Sequence, residues 1–406
     1  MKVEIVASIE EVDAAGWDRL AGSEFPFLRH QFLHAGERTG CVSPASGWSP
    51  RHVTVYDRNG NLTAAMPLYE KTHSWGEFVF DWSWAQAYHR VGIEYYPKLV
   101  SAVPFTPAPS PRLLLRDRND RESAGVLVDA AVTLAKESGC SSLHVLFPEE
   151  RELEVLENSG LKLRKDCQFH WHNRNYSSFE DFLATFSSAK RKKARRDRRR
   201  VKEQEIGFRW LKGNDTDDAV WKDVYSMIGT TFLRRGSMPY YDYEFFTSLS
   251  REMPDNVLVI LAERKHTPIA AAVFYQGNDT LYGRYWGSDS HYDALHFETC
   301  YYQGIDYCIA NGLARFEPGT QGEHKVSRGF VPITTWSAHW LARPEFFSAV
   351  GRYLKEEQRH VERYMNAVSA HSPYRDEPAG IEPCRFDTDE EVHGSDVSRN
   401  PVLHSK

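Results

Sequence analysis

Between Arg51 and Tyr69 two runs rich in β-branched and apolar residues, HVTVY and LTAAMPLY, flank the polar stretch DRNGN. This reads as strand, turn, strand, with Asn59-Gly60 as the turn signal because both residues tolerate positive φ. Leu127, Ala131 and Leu134 recur at helical spacing, which predicts a helix over Arg121–Ser138 ending at Gly139. Ser142–Phe147 (SLHVLF) predicts a strand, and Glu149–Asn158 a short helix that stops at Gly160.

The second half of the chain repeats this order. Val257–Ala262 and Ile269–Tyr275 predict paired strands around the turn Glu263–Pro268, and Thr280–Trp286 (TLYGRYW) adds a third. Phe297, Cys300, Tyr301, Ile305, Cys308 and Ile309 share one face of a helix over Phe297–Ala310, capped by Asn311-Gly312. Ala314–Glu317 is the next strand. The two series match if the first carries an insertion at about 82–116, a Pro- and aromatic-rich stretch. The expected fold is α/β (α+β), with two similar units, each a mixed sheet flanked by helices. The expected boundaries are 1–176 for the first unit and 177–370 for the second, which would begin with a basic helix and end with the amphipathic helix Glu345–Ser369. An acidic, flexible tail would occupy 371–406.

The 406 residues include no apolar run long enough for a membrane span, and MKVEIVASIEEVDAAGW lacks the apolar core of a signal peptide. The six cysteines are scattered and none forms C-x-x-C, so reduced thiols and a cytoplasmic location are expected. Cys300 and Cys308 lie about two helical turns apart, as for core packing.

Net charge, −6, changes the picture only when it is divided. Lys190–Lys202 holds ten Lys or Arg and one Asp, so this segment carries +9 and the remainder −15. Ser177-Ser178-Phe179-Glu180 fits a capping box, and Phe179, Phe182, Leu183 and Phe186 supply an apolar face for a helix that runs on into the basic segment. Ten cations on one helix repel one another. The segment reads as a solvated face with counterions, as a localisation signal, or as a phosphate-binding surface for RNA or a nucleotide-bearing substrate. Aromatic residues are absent from the run, which favours phosphate contacts over base stacking.

Candidate chemistry concentrates in Tyr282–Phe330. YGRYWGSD places Arg284 and Trp286 on a strand, LHFETCYYQG places His296 and Glu298 at a helix start, and FEPGTQGEHKVSRGF places Gln321, Glu323, His324, Lys325 and Arg328 in a loop after a strand. Ligands gather at the carboxyl ends of strands in α/β units, and Gly319, Gly322 and Gly329 permit close backbone approach. Structural roles remain open for each: Glu298 can favour the helix dipole, His296 can be a bonded core histidine, and Arg284 can form a core ion pair. His170 and His172 share a strand face without a nearby third ligand, so no metal is expected. No G-x-S-x-G, P-loop or dinucleotide-binding fingerprint occurs.

Three segments carry a family resemblance: Val103–Leu115 (VPFTPAPSPRLLL), Phe182–Arg200 (FLATFSSAKRKKARRDRRR), and Leu281–Phe330 with its LYGRYWG, LHFETCYYQG and FEPGTQGEHKVSRGF pieces. The chain resembles the FemAB-like N-acyltransferases of the GNAT (acyl-CoA N-acyltransferase) superfamily, a group labelled peptidoglycan biosynthesis or recognition, over about residues 15–370. The resemblance implies two tandem GNAT-like domains and transfer of an acyl or aminoacyl group to a small-molecule or peptide amine. The donor would be acyl-CoA as co-substrate or, alternatively, aminoacyl-tRNA held along Lys190–Lys202. In related Fem-type enzymes a loop lysine and glycine bind phosphate-bearing substrate, and Lys325 and Gly329 occupy the similar pattern. Two departures stand out. There is one basic helix rather than a long helical hairpin, and the pyrophosphate loop Q/R-x-x-G-x-G/A is absent.

Acyl transfer to an amine needs a proton acceptor, donors for the developing oxyanion, and cations for the donor's phosphates. Glu298 or Glu323 is expected as the base, with His296 as a substitute. Arg284, Trp286, Gln321, His324, Lys325, Arg328 and Gly329 are the expected substrate-binding residues, and Lys190, Arg191, Arg195, Arg198 and Arg199 the phosphate-binding ones. No metal and no obligate protein partner is expected. The alternative is a non-catalytic RNA- or glycan/peptidoglycan-recognition protein on the same fold.

Overall fold

A computed structural model describes residues 1–320 and 322–375. Its strands in chain order begin with β1 (Lys2–Val6), β2 (Trp48–Pro50), β3 (His52–Tyr56), β4 (Leu62–Met66), β5 (Tyr69–Lys71), β6 (Lys98–Ser101), β7 (Leu114–Leu115) and β8 (Ser142–Leu146). They continue with β9 (Lys162–His172), β10 (Ile206–Lys212), β11 (Val257–Arg264), β12 (Thr267–Gln276), β13 (Thr280–Ser288), β14 (Arg315–Glu317) and β15 (Val331–Leu341). Eleven strands form one sheet in the order β10-β11-β12-β13-β14-β9-β15-β8-β6-β5-β2, and β1-β3-β4-β7 form a second.

The two sheets are joined through one bent hairpin. Trp48 lies opposite Lys71, Pro50 opposite Tyr69 and Val53 opposite Met66, all in a single register, and the Arg51 N–H bridges the junction to the Leu68 carbonyl at 2.8 Å. Each half therefore runs, from its outer edge inward, as a lone strand, an antiparallel hairpin, a further strand, and a strand parallel to that one. These are β1, β2/β3, β4/β5, β6 and β8 in the first half, and β10, β11, β12, β13 and β14 in the second. The parallel pairs are β6 with β8 and β13 with β14. Parallel neighbours need a crossover. The helices Arg121–Glu137 and Gln303–Ala310 lie in the two crossovers. The expected pair of GNAT-like units is present.

The final strands change sides. β9, from the first half, pairs with β14, while β15, from the second, pairs with β8. β9 and β15 meet antiparallel along the centre, from Val331 opposite His170 to His339 opposite Lys162. The sequence boundary near residue 176 is therefore not a boundary in the sheet. Helices preceding the hairpins close over the join, where Phe27 and Phe32 meet Tyr275 and Phe245 edge to face at ring distances of 5.2 and 5.4 Å.

Some elements differ from the expectation. The stretch 82–116 is only partly extra, because it contains the helix Trp82–Arg90 and β6, the counterpart of β13. A buried lysine, Lys98, interrupts the apolar pattern that would have marked β6. The helix expected to run from residue 177 into the basic segment is two helices, Phe179–Ala184 and Ser188–Glu203. The chain breaks because Phe186 turns inward to bridge Tyr374 and the Ser187 N–H bonds the Pro373 carbonyl at 2.8 Å. Residues 371–375 of the expected tail thus pack on the body; 376–406 lie outside the described residues. In the hairpin turn only Gly60 takes a positive φ, while the Asp57 carboxylate receives the N–H groups of Asn59 and Asn61. Among the described residues no helix is long and apolar enough to cross a membrane, the five cysteines are free thiols, and no cluster of three or more His, Cys, Asp or Glu could hold a metal.

Candidate functional site

β13 and β14 run together only from Thr280 opposite Arg315 to Tyr282 opposite Glu317. β13 then continues to Ser288 with β12 beside it, so the two strands part after Tyr282 to leave a gap, and past Gly283 this edge of β13 has no strand partner among the described residues. Arg284 stands at the opening. It donates to Glu317 Oε1 at 2.6 Å and to the Gly283 carbonyl at 2.9 Å, and its guanidinium lies 4.9 Å above the Phe27 ring. Its buried Nε has no hydrogen-bond partner among the described residues. Glu317 is buried, which raises its pKa, with Arg284 opposing. Lys325 comes in from the turn Glu323–Arg328 and donates to the Gly319 carbonyl at 2.6 Å. It is 2% exposed. Burial lowers its pKa to about 7, against the pull of Glu317. Gly319, at φ +89, allows this backbone path.

His170 of β9 faces the same group. Burial, then the charges of His172, Lys325, Arg315 and Arg284, hold its imidazole neutral. His170 Nε2 is 3.3 Å from Gln168 Oε1, and the Gln168 amide donates to the Pro107 carbonyl at 2.8 Å. A buried arginine–carboxylate pair, a buried lysine with a neutral acceptor and a neutral imidazole thus converge at one strand end.

Glu298 lies in a different place. It occupies a π-helical turn, Glu298–Tyr302, inside the helical stretch that starts at Leu295. Such turns are frequent at functional sites. Glu298 Oε1 sits 3.1 Å from Arg198 Nη2 and accepts from Gln303 at 2.8 Å, while its buried Oε2 has no partner among the described residues. Burial raises its pKa and Arg198 opposes the rise. Arg198 also pairs with Asp306 at 2.6 Å. Its neighbour in the helix, Asp197, is 3.6 Å from Arg328, whose guanidinium lies 3.4 Å above the Phe297 ring and donates to the His324 carbonyl at 2.7 Å. The basic helix is therefore docked by its inner face onto the elements that carry the site.

The cations of that helix divide accordingly. Arg195 pairs with Glu180, Arg199 with Glu203 and Arg200 with Asp293. Arg191 donates to the Phe186 carbonyl at 3.2 Å. Among the described residues Lys190, Lys192, Lys193, Arg196 and Lys202 form no ion pair with a carboxylate. Ala194, Asp197 and Val201 are the buried positions, at helical spacing. That spacing was readable in the sequence and separates Lys192, Lys193 and Arg196, which the sequence reading passed over, from the inward Arg198.

The remaining expected residues form a rim. His296 is half-buried with its ring 5.3 Å from Trp286, and burial followed by neighbouring His324 and cations brings its pKa to about 4. His324 Nε2 meets the Tyr301 hydroxyl at 2.9 Å. Glu323 is exposed and helps burial to raise the pKa of the Tyr364 hydroxyl. Gly329 is buried at φ +94, where a Cβ would lie 2.6 Å from the Phe182 ring. Gln321 lies outside the described residues. The structure brings Arg284 and Lys325 together and keeps Glu298 with Arg198 and Asp306. Glu317, His170 and Gln168 were not singled out as site residues. Glu317 sits inside the FEPG motif, and in the sequence His170 stands out only as half of the pair His170 and His172.

The first half fills its corresponding gap. Beyond the β6–β8 pair, residues Ala102–Leu114 are buried apart from Pro109. Arg112 is fully buried and donates to the carbonyls of Leu146 at 2.7 Å, Ser110 at 3.0 Å and Ala108 at 3.0 Å. The Glu152 carboxylate receives the N–H groups of Arg112 and Leu113 at 2.8 and 2.6 Å. Near the start of β6, Lys98 is fully buried against Glu77 at 2.8 Å and against Asp81. A hydrogen-bonded chain continues through Tyr95 to His144 and, at 2.7 Å between Nδ1 atoms, to His339 of β15.

A family model described as FemAB-like, peptidoglycan biosynthesis/recognition, matches residues 8–376. No curated protein matches the chain. Among solved structures, FemX aligns with TM-score 0.51 at 11% identity, covering 86% of this chain and 100% of that one. The C-terminal domain of a protein described as a lysylphosphatidylglycerol synthetase from Agrobacterium fabrum aligns with TM-score 0.54 at 10% identity, covering 86% and 97%. At such identity the likeness is one of fold.

Proposed function

The chain belongs to the FemAB-like family of peptidoglycan biosynthesis/recognition proteins, and from that premise we propose that it is a transferase. It moves an acyl or aminoacyl group from a phosphate-bearing donor to an amine at the gap between β13 and β14. The observation that carries this reading is the unpaired edge of β13 past Gly283, with Arg284, Glu317 and Lys325 buried beside it. An unpaired strand edge offers backbone N–H and C=O groups to an extended ligand, such as a pantetheine arm or a peptide. It also offers donors for an acyl oxygen as charge develops on it.

The amine nitrogen attacks the acyl carbon, the bond to the donor's sulfur or ribose oxygen breaks with its electron pair on that atom, and the one proton that leaves the amine is passed on to it. Lys325, with a pKa of about 7, has a substantial neutral fraction at neutral pH and can take that proton; charged, it holds an anionic group. Glu298, whose Oε2 has no partner among the described residues, is an alternative acceptor only for an amine that enters beside Arg198 rather than at the gap. His296, neutral at pH 7, is a third. Lys190, Lys192, Lys193 and Arg196 draw in the donor's phosphates. The resemblance to Fem-type enzymes in the sequence motifs keeps aminoacyl-tRNA in view as the donor, and the GNAT-like fold keeps acyl-CoA in view.

The test supplies each donor class separately with a mixture of amine-bearing muropeptides and follows product by mass spectrometry. Product with either donor, lost in Arg284→Ala and Lys325→Ala, supports the reading. Tight binding of peptidoglycan fragments with no product from either donor would place the chain with the recognition members instead.

A further inference from the structure

Large apolar side chains are exposed on two touching loops of this protein, and none of these apolar side chains belongs to the site above, although Arg235 of the second loop lies near His296. In the first half, Trp75 is 63% exposed, and Phe80 and Trp82 about half exposed. In the second half, Leu233, in the last turn of the helix Asp218–Arg234, and Met238, in the turn after it, are 64% and 69% exposed. The loops meet through Tyr240, whose ring lies 6.0 Å from Phe78 and 5.3 Å from Phe232 and stacks on Phe105 at 5.0 Å. Together they make an apolar rim across both halves. Exposed clusters of this kind mark interaction surfaces.

The first loop is held from beneath. Lys71 is buried over the Trp48 ring at 3.7 Å and donates to the Trp75 carbonyl at 3.2 Å. Lys98 grips Glu77 and Asp81, and Arg164 donates to the Phe80 carbonyl at 2.8 Å. Within the helix Trp82–Arg90, Trp84 and Tyr88 turn inward and are buried while Trp82 turns out. A loop fixed by two buried lysines thus holds aromatic rings in water.

Ring geometry and charge select the occupant. Trp75 and Trp82 are inclined by 55°, and Phe80 and Trp82 by 57°. The rings form no common plane on which a sugar could stack; they project as wedges. The exposed charged residues of the two segments are Arg90, Arg234 and Arg235 against Glu94, an excess of cations on a protein whose net charge is −6. Projecting Trp, Phe, Leu and Met with flanking arginines suit the boundary between headgroups and acyl chains of an anionic bilayer. We propose that this rim is a membrane-docking surface that seats the protein on anionic lipid. The proposal is independent of the transfer chemistry.

The experiment is co-sedimentation of the full chain with vesicles of phosphatidylcholine, with and without one-third phosphatidylglycerol, at low and physiological salt. The wild type should pellet with anionic vesicles, and acyl chains brominated near the headgroup should quench its tryptophan fluorescence. Trp75→Ser/Phe80→Ser/Trp82→Ser should lower the partition coefficient by about tenfold or more. Arg234→Gln/Arg235→Gln should lower it by about fivefold or more on anionic vesicles and leave neutral vesicles unchanged. If the triple variant melts early, Trp75→Ser alone and the quenching measurement carry the test. Wild-type protein that stays in the supernatant with both vesicle types overturns the proposal. So does a well-folded triple variant that pellets like wild type, or a rim that binds N-acetylhexosamine oligosaccharides while ignoring vesicles.

Discussion

The β6–β8 and β13–β14 pairs hold the same place in their halves and differ in what occupies the space beyond them. In the first half the loop Ala102–Leu114 fills it, and Arg112 spends its donors on the carbonyls of Leu146, Ser110, Pro111 and Ala108. In the second half Gly283 and Pro318–Thr320 are half-buried, and the charged groups meet one another or a single carbonyl. A buried cation costs several kcal/mol of desolvation unless its donors are satisfied. Arg112 meets that demand inside the protein. Lys325 meets it only in part, with the single Gly319 carbonyl accepting from its ammonium. The first gap is built for stability, and the second retains unmet polar demand that a ligand can satisfy.

The sharpest way to break this contrast is Lys325→Ala, which should lower kcat/KM for transfer by about a hundredfold or more while shifting the denaturant midpoint little. A variant that unfolds early and retains turnover would make the two gaps alike. Next in size, Arg112→Met should destabilise the protein by about 3–5 kcal/mol, because it strips the donors from several buried carbonyls. Chemical denaturation reads this, and a loss below 1 kcal/mol would mean the first gap is not sealed by Arg112. Neutralising the outer cations by Lys192→Gln/Lys193→Gln/Arg196→Gln should weaken binding of a polyphosphate-bearing donor by about tenfold at low salt and flatten its salt dependence. Unfolding should not change, since none of the three is ion-paired to a carboxylate.

The first half also predicts a pH effect. His144 is held down to about 3 by burial and Lys98, and His339 well below its ordinary range by burial and His144. A histidine with a depressed folded pKa binds protons more readily when unfolded. Its stabilising contribution is therefore complete above about pH 6.5 and is lost as pH falls towards the folded value. The wild type should lose stability relative to His144→Gln/His339→Gln between pH 6.5 and 4, and parallel curves would remove the pair from the account. The smallest effect is Arg195→Gln, which breaks an exposed pair with Glu180 and should change stability by less than about 1 kcal/mol.

The repeated order of strand pair, third strand, helix and strand was readable because each element carried a clean apolar period. β6 was missed because Lys98 breaks that period, and only the fold reveals that Glu77 and Asp81, about twenty residues upstream, neutralise it. β15 mixes Thr, Ser and His among its apolar positions and sits inside a sheet, where no one-sided alternation is required. At the site, the motif around Arg284, Glu317 and Lys325 stood out in composition. The split between inward and outward cations of the basic helix needed only the Ala194–Asp197–Val201 spacing. His170 and Gln168 carried no such signal, because their place depends on β9 crossing to the other half.

That crossing has a consequence for how the protein is made. The open edge of β8 is closed by β15, and the bonded histidines that mark the pairing are 195 residues apart. At about 5–20 residues per second of synthesis, the nascent first half exposes that edge for roughly ten to forty seconds before its partner exists. An unpaired edge is a site for wrong association. The ribosome-bound first half is thus a natural client for a chaperone, and neither half should fold when expressed alone.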